Sequence, residues 1–153
     1  MTRRRRLRPS QPFGEYALNY FGFLLDMGYT VEVLDDTELS LNSEDATVRI
    51  DFDPYERDVQ TVVWVHDHSV DAPGLDIEAV MAVLCPNGLE LGKLFVNAKK
   101  HGFDRVLESQ ALVLKECGRP LLSGDFSRVK AVRDYQRRRT AEVMPWMSEP
   151  KGD

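Results

Sequence analysis

The sequence predicts an α+β fold: an N-terminal helix, a four-stranded antiparallel meander, and C-terminal helices packed on one sheet face. Two changes of hydrophobic period lead there. Apolar residues recur at three- and four-residue steps before residue 28 and again after residue 75, the spacing of amphipathic helices. Between them the period falls to two, and turn residues interrupt it at short intervals. A third observation sets the scale: 153 residues, 42% apolar and 29% charged, suffice for one hydrophobic core and not for two.

Residues 1–12 carry arginine and proline without periodicity and read as a disordered basic tail. A single domain is expected over 13–143. Its first helix spans Phe13 to Met27, with Phe13, Tyr16, Ala17, Tyr20, Phe21, Leu24 and Leu25 on one stripe. Gly28 stands where a helix ends in a left-handed cap.

Tyr29, Val31 and Val33 alternate as the first strand, and Asp35-Asp36 turns the chain. Leu39 and Leu41 mark the second strand, followed by a turn at Asn42-Ser43-Glu44-Asp45. In the third, Ala46, Val48, Ile50 and Phe52 face one way, and Thr47, Arg49, Asp51 and Asp53 the other. Asp53 to Asp58 breaks it, and Val59 to Val65 is the fourth, apolar on both faces from Val62. Clean alternation implies one face under helices and one mostly in water.

Pro73-Gly74 precedes a short apolar helix over Leu75–Leu84, ended near Pro86-Asn87-Gly88. Leu91, Leu94, Phe95 and Ala98 begin another, which His101-Gly102-Phe103 bends or divides before the pattern runs on to Gly118. Asp125 or Ser127 is placed to cap a last helix with Phe126, Val129 and Val132 inward. Residues 144–153 read as a flexible tail.

Composition excludes several functions. No apolar run approaches the ~20 residues of a membrane-spanning helix. Arg3-Arg4-Arg5-Arg6 is followed by polar residues and proline rather than the apolar stretch of an export signal, so a cytoplasmic protein is expected. Cys85 and Cys117 fit that compartment as free, buried thiols. No glycine-rich phosphate-binding string occurs, and Leu122-Ser123-Gly124-Asp125-Phe126 reads as a helix start.

His66-Asp67-His68 is the one constellation with metal-ligand chemistry. Alternation puts both imidazoles on the side of Trp64, and Asp51 or Asp53 is placed to join them. Two histidines fall short of the three or four ligands that zinc takes, and polar strand ends are common. Nothing in the sequence argues that the Asp51/Asp53 pair is desolvated, which a shifted catalytic pKa would require. Neither cysteine has a histidine beside it in sequence. No catalytic residue, metal or cofactor is therefore expected.

The net charge of −5 is unevenly spread. Residues 1–9 hold five arginines and no acid, whereas residues 10–118 hold seven Lys or Arg against twenty Asp or Glu. Residues 119–153 are basic again, with Arg133 one turn before Arg137-Arg138-Arg139. An acidic body repels phosphate and attracts basic partners, or simply keeps a protein soluble. Nucleic acid is left to Arg3–Arg6 and Arg137–Arg139 alone.

The run Tyr20-Phe21-Gly22-Phe23-Leu24-Leu25-Asp26-Met27-Gly28-Tyr29 leads into Leu39-x-Leu41-x-Ser43, Val48-x-Ile50-Asp51-Phe52-Asp53 and Val59 to Val65. Leu121-Leu122-Ser123-Gly124-Asp125-Phe126 closes the series. Over residues 13–140 this succession resembles small uncharacterised bacterial α+β proteins, some of which look like immunity proteins of toxin systems. The resemblance implies a non-catalytic inhibitor that binds a basic protein partner through acidic residues at the meander's turns and polar face. Those would be Asp35, Asp36, Glu38, Glu44, Asp45, Asp51 and Asp53. The alternatives are an adaptor or scaffold subunit of a larger bacterial or phage assembly, and a nucleic-acid binder or metal-dependent enzyme.

Overall fold

The structure, a computed structural model, describes residues 11–67, 72–85 and 94–143. The expectations for Arg3–Arg6, His68, Pro86-Asn87-Gly88, Leu91 and residues 144–153 fall outside them. The element order is α1 (Phe13–Phe21), α2 (Phe23–Asp26), β1 (Thr30–Leu34), β2 (Glu38–Asn42), β3 (Ala46–Asp53), β4 (Asp58–Val65), β5 (Leu75–Asp76), α3 (Ile77–Leu84), α4 (Ala98–His101), α5 (Phe103–Glu116), α6 (Arg119–Leu122) and α7 (Val129–Val143). The fold is α+β, as expected, with helices before and after the sheet.

Among the described residues the sheet has five strands in sequential order, each antiparallel to the next. The expected four-stranded meander is present, and β5 is the addition. Leu75 and Asp76 pair with Val63 and Val62, so the helix expected from Leu75 starts two residues later. Asp76 then caps it, its carboxylate accepting from the Ala79 amide at 2.8 Å.

Along β3 and β4 burial alternates without a break. Ala46, Val48, Ile50, Phe52, Val59, Thr61, Val63 and Val65 lie under the helices, and their neighbours face outward. In β1 the alternation fails. Val31 pairs with Leu41 but Val33 pairs with Ser40, so a bulge at Glu32 puts the two valines on opposite faces.

The expected first helix is interrupted once, at Gly22. It closes as foreseen at Gly28, whose φ of 90° is left-handed. The Gly28 amide donates to the Leu25 carbonyl and the Tyr29 amide to the Leu24 carbonyl, the two bonds that finish such a cap. Gly102, with φ of 83°, ends α4 and begins α5, so the chain there is divided rather than bent. Residues 94–97 are not helical: the Val59 amide donates to Val96 at 2.8 Å, fixing this segment beside β4.

One contiguous core joins the sheet's inner face to α1, α3, α5 and α7. Phe13 stacks on Phe52 at 5.4 Å, and Phe103 meets Phe52 edge-on at 5.1 Å. Gln110, wholly buried, accepts from Thr61 and donates to the Val59 and Phe95 carbonyls. Tyr29 reaches across to donate to the Leu122 carbonyl at 2.8 Å.

The start of α1 presses on the β1–β2 turn. The Gly14 amide donates to the Asp35 carbonyl at 2.8 Å, and a β-carbon there would lie 2.8–2.9 Å from backbone atoms of Asp35 and Glu38. Only glycine allows this approach.

The cysteines correct the expectation of free thiols. Cys85 ends α3 and Cys117 ends α5, and packing of the two helices brings their Cα atoms to 5.5 Å in a disulfide. A separation of 32 residues in sequence said nothing of this meeting.

Two outcomes follow. Gly14→Ala should lower unfolding stability by about 1–3 kcal/mol, read as a reduced urea midpoint. Reduction of the disulfide should cost about 3–4 kcal/mol for a loop of this size, and iodoacetamide should label the cysteines only after dithiothreitol treatment.

Candidate acidic face

The meander's polar rows form an open face opposite the helices. At one end the register gathers carboxylates: Glu38 pairs with Asp51, and Asp53 with Asp58. The β1–β2 turn adds Asp35 and Asp36, since hairpin turns alternate between the two ends of a meander. Five of the seven expected partner-binding residues thus share one end of the sheet. Glu44 and Asp45 lie in the β2–β3 turn at the opposite end and do not join them.

Several of these carboxylates also build the fold. Asp35 accepts from the Thr37 and Glu38 amides at 2.9 and 2.8 Å, and Asp53 from the Tyr55 and Glu56 amides at 2.9 and 3.1 Å. Each holds its own turn in shape while leaving an oxygen outward. Glu38 accepts from Ser40, and Asp51 holds Arg49 at 2.7 Å. Asp45 is turned toward Gly124, where its Oδ1 lies 2.7 Å from the place of a β-carbon.

Burial, with crowding second, leaves an electrostatic mark. Partial burial pushes the Asp51 carboxyl above its ordinary range, and Glu38 and Asp35 push the same way against Arg49. Asp58 is raised by burial first, then by Glu56 and Asp53. Asp58 is the member that sequence reasoning passed over; its place directly opposite Asp53 across the β3–β4 hairpin was the available signal.

The other end of the open face has different chemistry. The Arg49 guanidinium lies 4.6 Å from the centre of the Trp64 ring. Gly74 sits close over Val62 and Trp64, where a β-carbon would come within 2.3 and 2.7 Å of their side chains. His66 is engaged by its own hairpin, with Nδ1 3.1 Å from the Glu44 carbonyl oxygen and Nε2 3.1 Å from the Thr47 hydroxyl. Asp51 lies four residues along β3 from Thr47, about 13 Å, so the suggested joining of His66 to Asp51 is not formed. Among the described residues no group of three His, Cys, Asp or Glu is arranged to hold a metal.

Of the C-terminal arginines, Arg133 and Arg139 are committed within the molecule, whereas Arg137 and Arg138 are exposed. Arg133 pairs with Asp67 at 2.9 Å and Arg137 with Asp134 at 2.6 Å, while Arg139 engages Asp76 and Glu78. That withdraws Arg133 and Arg139 from phosphate and leaves Arg137, 74% exposed, and Arg138 available to it. On the helical side the Tyr16 and Tyr20 hydroxyls both donate to Asp104 Oδ1, and these bonds hold Asp104 below its usual range. An open groove of about 420 Å³ nearby is floored by Tyr20, Phe23, Ala111 and Leu112, with Asp26 and Lys115 beside it.

The raised Asp58 carboxyl, pushed up by burial first and by its acidic neighbours second, has a signed consequence. A raised folded pKa means that the folded state holds its proton more tightly than the unfolded one, so stability is lost as pH rises through that window. Asp58→Asn should therefore raise unfolding stability at pH 7 by up to about 1 kcal/mol for a partly exposed group, read as a higher urea midpoint. The gain should vanish as the pH falls below the ordinary aspartate value of 3.8, where both side chains are neutral. No family model, curated protein or solved structure matches the chain.

Proposed function

We propose that the chain is a non-catalytic protein-binding protein, of the immunity-inhibitor kind, that holds a basic partner against the acidic end of its open sheet face. One observation carries the reading: Glu38, Asp51, Asp53 and Asp58 stand side by side across three strands in paired register. Like charges directly opposite each other on a sheet are unfavourable. A fold that keeps them, with two carboxyls pushed toward neutrality, has acidic character that its own stability does not call for. Lysines or arginines of a partner would relieve that repulsion on binding and would be steered in by the field of an acidic body.

The pairing of the partly buried Arg133 and Arg139 with acids favours this reading over nucleic-acid binding. A cytoplasmic location belongs to the same proposal. The disulfide withdraws the support that free thiols would give it.

The test is capture of the host's proteins on the tagged chain, eluted across a salt gradient, beside a variant with Asp36→Asn, Glu38→Gln, Asp51→Asn and Asp58→Asn. One stoichiometric basic protein should be released by moderate salt. The variant should hold it at least tenfold more weakly and with a shallower salt dependence. Equal retention by both forms, or nucleic acid in place of protein, overturns the proposal.

A further inference from the structure

The two edges of the sheet are treated differently. At β5 the edge is only two residues long and lies against α7: Gln136 accepts from the Asp76 amide and donates to the Gly74 carbonyl, and Arg139 clasps the Asp76 carboxylate. At β1 five residues form the edge, and four of them are exposed.

Two of those four are apolar. Val31 and Leu34 expose 39% and 38% of their surface, and both belong to the helix-side row, opposite Leu41 and Leu39. The backbone is also turned outward at the second of them. The Asp35 amide donates inward to the Glu38 carbonyl at 3.0 Å. Antiparallel ladders alternate, so Leu34 forms the next, non-hydrogen-bonded pair, and its amide and carbonyl point away from β2. Charge completes the description: Glu32, Asp35, Asp36 and Glu38 belong to this edge or to its turn, with no lysine or arginine among residues 29–42.

We infer that the β1 edge receives an extended segment of the basic partner as a sixth strand. This rests on the proposed function and names the manner of engagement. Such a segment alternates apolar and cationic residues, because a strand added here presents one row to Val31 and Leu34 and the other toward the acidic open face. Charge also selects the occupant. A second copy would bring an edge equally rich in acids and without lysine or arginine against this one, whereas a lysine-bearing strand neutralises it. The bulge at Glu32 limits uninterrupted pairing to the stretch that ends at Leu34, so a short segment suffices.

The test uses two capped synthetic peptides of equal length and charge, one alternating lysine and valine, the other a lysine–alanine sequence that favours helix. Binding to the whole protein is followed by titration and by amide hydrogen exchange. The alternating peptide should bind at least tenfold more tightly and slow exchange at the Leu34 amide. Leu34→Pro, which removes that outward amide, and Val31→Lys, which leaves the backbone intact, should each weaken it about tenfold. Equal binding of both peptides, with Leu34 exchange unchanged and the carboxylate variant of the preceding section impaired, overturns the added strand and leaves the acidic-face reading standing. Binding of neither peptide overturns both. A Leu34 amide already protected without peptide, in a monomer or a dimer, shows the edge to be occupied by this chain and also overturns the inference.

Discussion

The arrangement of helices on sheet depends on a single buried amide. Gln110 has no exposed surface, and its side chain bonds to two distant parts of the chain: the Thr61 hydroxyl and Val59 carbonyl of β4, and the Phe95 carbonyl before α4. Apolar contacts between α5 and β4 would tolerate sliding by a fraction of a turn, because dispersion is non-directional. A buried amide does not tolerate it, since each bond left unmade costs about 1–3 kcal/mol. Gln110 therefore sets the register of α5 on β4 and ties down the segment before α4. The Phe13–Phe52–Phe103 cluster packs within that frame.

With the inner face so determined, the outer face is free to carry character that stability does not require. Its two ends differ in kind. One places Arg49 on Trp64 and tucks Gly74 over the aromatic surface. The other aligns carboxylates across paired strands. Asp35 and Asp53 show how the two demands coexist, one oxygen tying a turn together while the charge stays outward. Removing either to probe binding would also disturb a hairpin, so Asp36, Glu38 and Asp58 are the cleaner reporters of surface charge.

Local signals made much of the fold legible. Alternation from Ala46 to Asp53 needs only the pleat of a strand, and Gly28 marks a left-handed cap by its place at the end of an amphipathic stripe. What escaped depends on contacts between distant residues. The bulge at Glu32 reverses Val33 although Val31-x-Val33 has a perfect period of two. β5 exists because Val62 and Val63 offer a ladder, not because Leu75-Asp76 has a strand pattern. The disulfide and the Tyr16–Tyr20–Asp104 clasp each join residues more than thirty positions apart. The candidate face was half legible: acidic residues at turns could be listed, but only the order of the strands separates Glu44 and Asp45 from the rest.

The disulfide has a topological consequence. Cys85 and Cys117 enclose the 31 residues between them in a covalent loop that contains α4 and α5. A protease cutting anywhere inside that loop would leave two fragments still joined through sulfur. Gln110 lies within it, so a nicked molecule would keep its central amide tethered to both halves of the structure. The chain can thus lose its continuity there without losing its integrity, until a reductant separates the pieces.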